Sequence, residues 1–197
     1  VNKIVQDVSD LVVPDWISTG KLRWVWALWE PIDLYRRSGS AAGIGDSRAT
    51  GHWVMKWYER MHTDEILDKL ADIGVNLVST HFYKGFGLKA EAEEMDRAAD
   101  FTRRAHTRGI RVLGYHQFST VIYETLKDEI PNLADWIQRN ADGKMQTYGG
   151  GSTYWRWMAC PIHDDFMTYL KKVIDHTLVY ADMDGVEYDG TAYDCHC

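Results

Sequence analysis

Cysteine is scarce in this sequence: three residues in 197, all in the last fifth, at Cys160, Cys195 and Cys197. That is too few, and too late in the chain, for a disulfide framework. The count leaves the compartment open, and the cytoplasm is the expected location. Proline is sparse as well, with four residues, and no Pro-rich or low-complexity stretch marks a linker. Residues 1–197 are therefore read as one catalytic-type domain. No run of 18 apolar residues exists, so no membrane-spanning helix and no membrane partner are expected. The opening VNKIVQDVSD lacks a basic region followed by an apolar one, and no signal peptide is expected from it. It begins at Val1, which leaves room for an upstream segment. Positive charge is in deficit: 22 Lys and Arg against 29 Asp and Glu give a net charge of −7. Nucleic acid is excluded as a partner, because phosphate binding needs clustered Lys and Arg.

What is present in quantity is aromatic. Nine Trp and eleven Tyr are many for this length. Most serve as core fillers, but Trp and Tyr are also flat apolar platforms with a polar edge, suited to the C–H faces of sugars. A neutral, polyhydroxylated substrate fits both the charge and these rings.

A strand-then-helix unit recurs along the chain. RWVWALWE (Arg23–Glu30) is an apolar, β-rich run halted by Pro31. The stretch 32–61 reads as a long loop with one short helix. A helix is expected over Asp64–Ile73, with Thr63 as N-cap, Ile66, Leu67, Leu70 and Ile73 as its stripe, and Gly74 as its stop. VNLVST (Val75–Thr80) follows as strand two. Lys89–Arg108 is an amphipathic helix with Met95, Ala98, Ala99, Phe101 and Ala105 inward. IRVLGYH (Ile110–His116) is strand three. After a long excursion, Asp165–Tyr180 is helical, and GVEYD (Gly185–Asp189) is strand four. Strands alternating with helices imply βαβ crossovers and a parallel sheet, and their apolar character implies cover on both faces.

Chemistry is expected at the strands' C-terminal ends. Strand one ends in Trp29–Glu30, strand two in His81–Phe82–Tyr83, strand three in His116–Gln117 and strand four in Asp189. Polar residues at every such end, followed by long loops, suit a barrel active site. No Gly-rich phosphate fingerprint follows strand one, which disfavours a dinucleotide fold. Alternation puts Glu187 and Asp189 on one face of strand four. Two carboxylates that close would not ionise independently, an arrangement used for acid/base work. Both are candidate catalytic residues; Trp29, Glu30, His81, His116 and Arg156 are candidate substrate contacts. Cys195–His196–Cys197 is half of a zinc site, which Cys160 and His163 would complete if the fold brought them near. Apart from such a structural zinc, no cofactor is expected.

Five stretches carry a resemblance: HFYKGFGLKAEAEEMD (81–96), RGIRVLGYHQFSTVIYETL (108–126), ADWIQRNADGK (134–144), YWRWMACPIHDDFMTYLKKVIDHT (154–177) and DGVEYDG (184–190). In order and spacing they resemble a bacterial glycosyl-hydrolase group with a (β/α)8 barrel. That group is related in layout to the α-L-fucosidase, α-galactosidase and α-amylase-like families, and the similarity runs from Thr63 to Cys197. It implies that Asp189 is the nucleophile or its equivalent, and that His81, His116 and Arg156 line the sugar subsite. It also implies a C-x-C pair after strand four, matched by Cys195 and Cys197. The sequence departs from the group at Glu187, where many relatives carry an aromatic or basic residue.

A full barrel needs eight units and about 250 residues. The chain is therefore read as the N-terminal half, about four strand–helix units, of a TIM (β/α)8-type barrel. It is expected either to continue into a missing C-terminal half-barrel or to pair with another copy as a homo-oligomer. Its expected partner is a carbohydrate substrate, cleaved at a glycosidic bond of an oligosaccharide or glycan. A metal-dependent sugar isomerase or amidohydrolase is one alternative, using Glu30, His81, His116 and Asp189 as ligands. A non-catalytic carbohydrate-binding unit is the other.

Overall fold

The computed structural model of the protein describes residues 12–26, 52–148, 155–189 and 195–196. After a one-turn helix at Asp15–Ser18 come strand β1 (Trp24–Trp26), helix α1 (His52–Met61), helix α2 (Asp64–Asp72), strand β2 (Leu77–Tyr83) and helix α3 (Ala92–His106). Strand β3 (Arg111–Gln117), a short β4 (Thr120–Ile122), β5 (Arg156–Met158), helix α4 (Asp164–Asp175) and strand β6 (Gly185–Asp189) follow. α4 runs on into a wider, π-helical turn over His176–Tyr180.

Four strands form one sheet in the order β1-β2-β3-β6, every neighbouring pair parallel. This is the α/β layout with a parallel sheet that the strand–helix alternation implies. The helices cover one face of the sheet. Met95, Ala98, Ala99, Phe101 and Ala105 of α3 and Phe166, Leu170 and Val173 of α4 pack in one core with Val78, Phe82 and Val112. Apolar residues at helical spacing thus meet apolar residues at alternate strand positions, the burial that drives the two layers together. Gly114 is required at the crossing: a Cβ there would lie 2.7 Å from a Thr177 methyl and 2.8 Å from the Met183 sulfur.

Three local expectations change. Thr63 is the N-cap residue of α2, but its hydroxyl donates back to the Arg60 carbonyl at 2.7 Å and bonds no N–H of the new helix. β2 extends to Tyr83, three residues past Thr80, so His81, Phe82 and Tyr83 belong to the strand itself. The excursion after β3 contains a second, antiparallel two-stranded sheet, β4 with β5. Between β2 and β3 the register slips once: His81 pairs with Tyr115, but Tyr83 pairs with His116, leaving a bulge at Phe82.

Candidate active site

In a parallel sheet, residues in register point to the same face. His81, Tyr115 and Glu187 form one such row, and Gln117 with Asp189 forms the next row toward the C-terminal ends. Both rows lie on the face away from the helices. The intervening row of Tyr83, His116 and Tyr188 points the other way.

That parity corrects one expectation. His116 does not face the strand-end mouth. It is fully buried, stacked on Phe82 with ring centres 5.6 Å apart, and its Nε2 lies 2.7 Å from Thr177 Oγ1. Thr177 in turn donates to the Val173 carbonyl at 2.8 Å. A hydroxyl has one proton, so Thr177 accepts from His116 Nε2–H, and the ring is held neutral. Burial lowers its pKa to about 3.

Asp189 stands at the C-terminal tip of β6, on the face away from the helices. Its Oδ2 accepts a hydrogen bond from the Tyr115 hydroxyl at 2.6 Å, while its carbonyl accepts from Gln117 Nε2 at 3.1 Å and from the Phe118 amide at 3.0 Å. Lys84 Nζ stands 3.3 Å from the same Tyr115 hydroxyl. Arg156, also buried, reaches this cluster from β5. It donates to Gln117 Oε1 at 2.6 Å and to Thr120 Oγ1 at 3.0 Å, and its guanidinium lies 4.3 Å from the centre of the Tyr148 ring. The structure thus brings Asp189 and Arg156 together through Gln117, and it adds Tyr115 and Lys84, which the sequence reading did not select.

Glu187 sits one row deeper beside Tyr115, and its Oε2 is shielded from solvent with no hydrogen-bond partner among the described residues. His81 shares that row, with Nε2 3.2 Å from Glu91 Oε2 and both side chains almost wholly buried. Glu91 also accepts the backbone N–H groups of Lys84 and Phe86, each at 2.7 Å. Glu91 therefore anchors the loop that follows β2, with the His81 ring packed against its carboxylate. Trp29, Glu30 and Cys197 lie outside the described residues. Cys195 is disulfide-bonded, a form in which its sulfur is not a free thiolate. Among the described residues no three His, Cys, Asp or Glu side chains cluster as metal ligands, and no helix is long and apolar enough to cross a membrane.

A carboxylate at a strand tip, oriented by a phenol and flanked by buried cations, can attack or stabilise an electron-poor carbon. Comparison with known proteins gives this arrangement a family. No curated protein is similar to the chain. Among solved structures, an α-galactosidase from Lactobacillus brevis matches 86% of this chain and 20% of its own, at 12% identity and a TM-score of 0.51. A maltogenic α-amylase from Thermotoga neapolitana matches 71% of this chain and 36% of its own, at 16% identity and a TM-score of 0.49. An α-galactosidase from Thermus thermophilus matches 68% and 30%, at 15% identity and a TM-score of 0.47. The likeness to the Lactobacillus α-galactosidase is one of fold, and the chain spans well under half of each of these proteins. The profile of the family described as hypothetical glycosyl hydrolase 6 (GHL6) matches residues 53–189, well over half of the sequence and the whole span from α1 to the tip of β6. The chain belongs to that glycosyl hydrolase family.

Proposed function

We propose that the chain supplies the first half of a (β/α)8 glycoside hydrolase, with Asp189 as its catalytic carboxylate. One observation carries this reading: Asp189 ends the last strand of a parallel sheet, and its carboxylate is held at 2.6 Å by Tyr115. Catalytic groups of such barrels stand on that rim. The carboxylate would attack the anomeric carbon, or stabilise the positive charge that grows there, as the bond to the leaving oxygen breaks. A second acid would protonate that oxygen.

Glu187 does not suit the second role. Two residues apart on one face of a strand, it and Asp189 point the same way, about 6.6 Å apart at their Cα atoms. The two acids of a glycosidase flank the scissile bond. The acid is expected on another strand or loop, while Glu187 acts from beneath on the electrostatics of Tyr115 and Asp189. Arg156, with Gln117, shapes the floor on which the sugar rests.

The test uses the full-length protein and an activated aryl glycoside. Asp189→Ala should lower hydrolysis about a thousandfold or more. If Asp189 is a nucleophile, added azide should restore release of the aryl group and yield a glycosyl azide. Undiminished hydrolysis by Asp189→Ala would sink the assignment.

A further inference from the structure

Lys84 is one of the most deeply buried side chains of the molecule, at 1% exposure. Lysine is almost never fully buried unless its ammonium is paired, and the surrounding loop is built to hold this one in place. Glu91 grips the backbone N–H groups on either side of Gly85, those of Lys84 and Phe86. Gly85 adopts φ +97° and packs so close to the Thr120 carbonyl that a Cβ would fall 2.4 Å from its oxygen. From this clamp Nζ reaches the Tyr115 hydroxyl at 3.3 Å, and it lies 4.9 Å from the centre of the same ring. An ammonium has only protons to give, so in this contact the phenol oxygen accepts. Its single O–H then remains for Asp189 Oδ2 at 2.6 Å, much closer than Gln117 Oε1 at 3.4 Å.

We propose that Lys84 is a positioning residue that acts on Asp189 through Tyr115. The relay runs from Lys84 to Tyr115 to Asp189, and its fixed donor direction holds the carboxylate in one orientation. The inference rests on the reading of Asp189 as the catalytic carboxylate.

A double-mutant cycle on the full-length protein tests it, with kcat and KM measured on an activated aryl glycoside. Tyr115→Phe should lower kcat about 10- to 100-fold with KM changed less than about threefold, because the lost bond acts at the reacting group. Lys84→Met, which keeps the stem's volume, should lower kcat about tenfold with the same small change in KM. The double variant should be no slower than Tyr115→Phe by more than about twofold, since the proposed relay passes through the phenol. Losses that multiply, or a Lys84→Met enzyme with wild-type kcat, would overturn the relay. Should Lys84→Met fail to fold by circular dichroism, Lys84→Arg replaces it in the cycle: the relay requires a cost when Tyr115 is intact and none in the Tyr115→Phe background. Asp189→Ala, measured beside these, separates the two levels. If it retains turnover, both readings fall; if it is inactive while Lys84→Met and Tyr115→Phe run at wild-type rates, only the relay falls.

Discussion

Asp184 and Asp189 flank the same strand, five residues apart, and their surroundings differ in kind. Asp184, at the entry to β6, is nearly buried and saturated: Arg111 donates at 2.7 Å, the Val112 amide at 2.8 Å, and His106 Nε2 lies 2.8 Å away. Asp189, at the exit, is exposed, and Tyr115 is the hydrogen-bond donor to its carboxylate among the described residues. A buried carboxylate with both oxygens engaged can hold strands together but has little to offer a substrate. One with a single oriented donor keeps an oxygen for chemistry. On the proposed reading, the contrast separates a stabilising end of the sheet at Asp184 from a reacting end at Asp189.

Exchanging damage between the two ends gives the sharpest measurement. Asp189→Asn should cost about a thousandfold or more in kcat, while its melting temperature stays within a few degrees of wild type. Asp184→Ala should do the reverse. Removing the shared acceptor leaves Arg111, His106 and a backbone N–H without it, at a cost of about 3 kcal/mol in urea unfolding, with kcat per folded molecule unchanged. If Asp184→Ala proves inactive but stable, the division fails.

A smaller effect comes from the helix-covered side. His116 has a folded pKa of about 3 against an ordinary 6.5, and burial also lowers that of His62. His116 stays neutral in the fold down to about pH 3, whereas the unfolded chain takes up a proton there below pH 6.5. Its contribution is therefore complete above pH 6.5 and is lost as pH falls toward 3, with a slope approaching about 1.4 kcal/mol per pH unit, and His62 shifts stability in the same direction. The slope of unfolding free energy between pH 6 and 4 should flatten in His116→Asn; an unchanged slope would show that the ring is protonated in the fold. Thr177→Val, which strips the partner from His116 Nε2, should cost about 1–2 kcal/mol. The least effect is expected at Glu65. Its contacts with Lys69 at 2.6 Å and Arg60 at 3.3 Å are fully solvated, so Glu65→Gln should leave unfolding indistinguishable from wild type.

The repeating layout was legible in the sequence wherever two signals agreed. β6 has its expected bounds, and α3 turns its expected stripe inward, because helical spacing and flanking breakers act locally. The excursion after β3 was not legible: β4 and β5 are three residues each and pair across 36 positions, a contact no local pattern encodes. The candidate site was half legible. Asp189 was selected for its place at a strand tip and lies on the face away from the helices, but His116 was selected by the same rule and points toward them. Which face a tip presents depends on register with the neighbouring strand, and register is a tertiary fact. Tyr115 and Lys84 were not selected, since neither burial nor a phenol's partner can be read from residue type.

The bulge at Phe82 has a consequence for the candidate site that side-chain chemistry alone would hide. Strict alternation from His81 would turn Lys84 toward the helices. With Phe82 and Tyr83 both packed into the helix-side core, the count is shifted by one and Lys84 emerges on the opposite side, over Tyr115. A single inserted backbone unit thus works as an address change. Excising it would leave every reactive residue in the chain and deliver one of them to the wrong compartment of the fold.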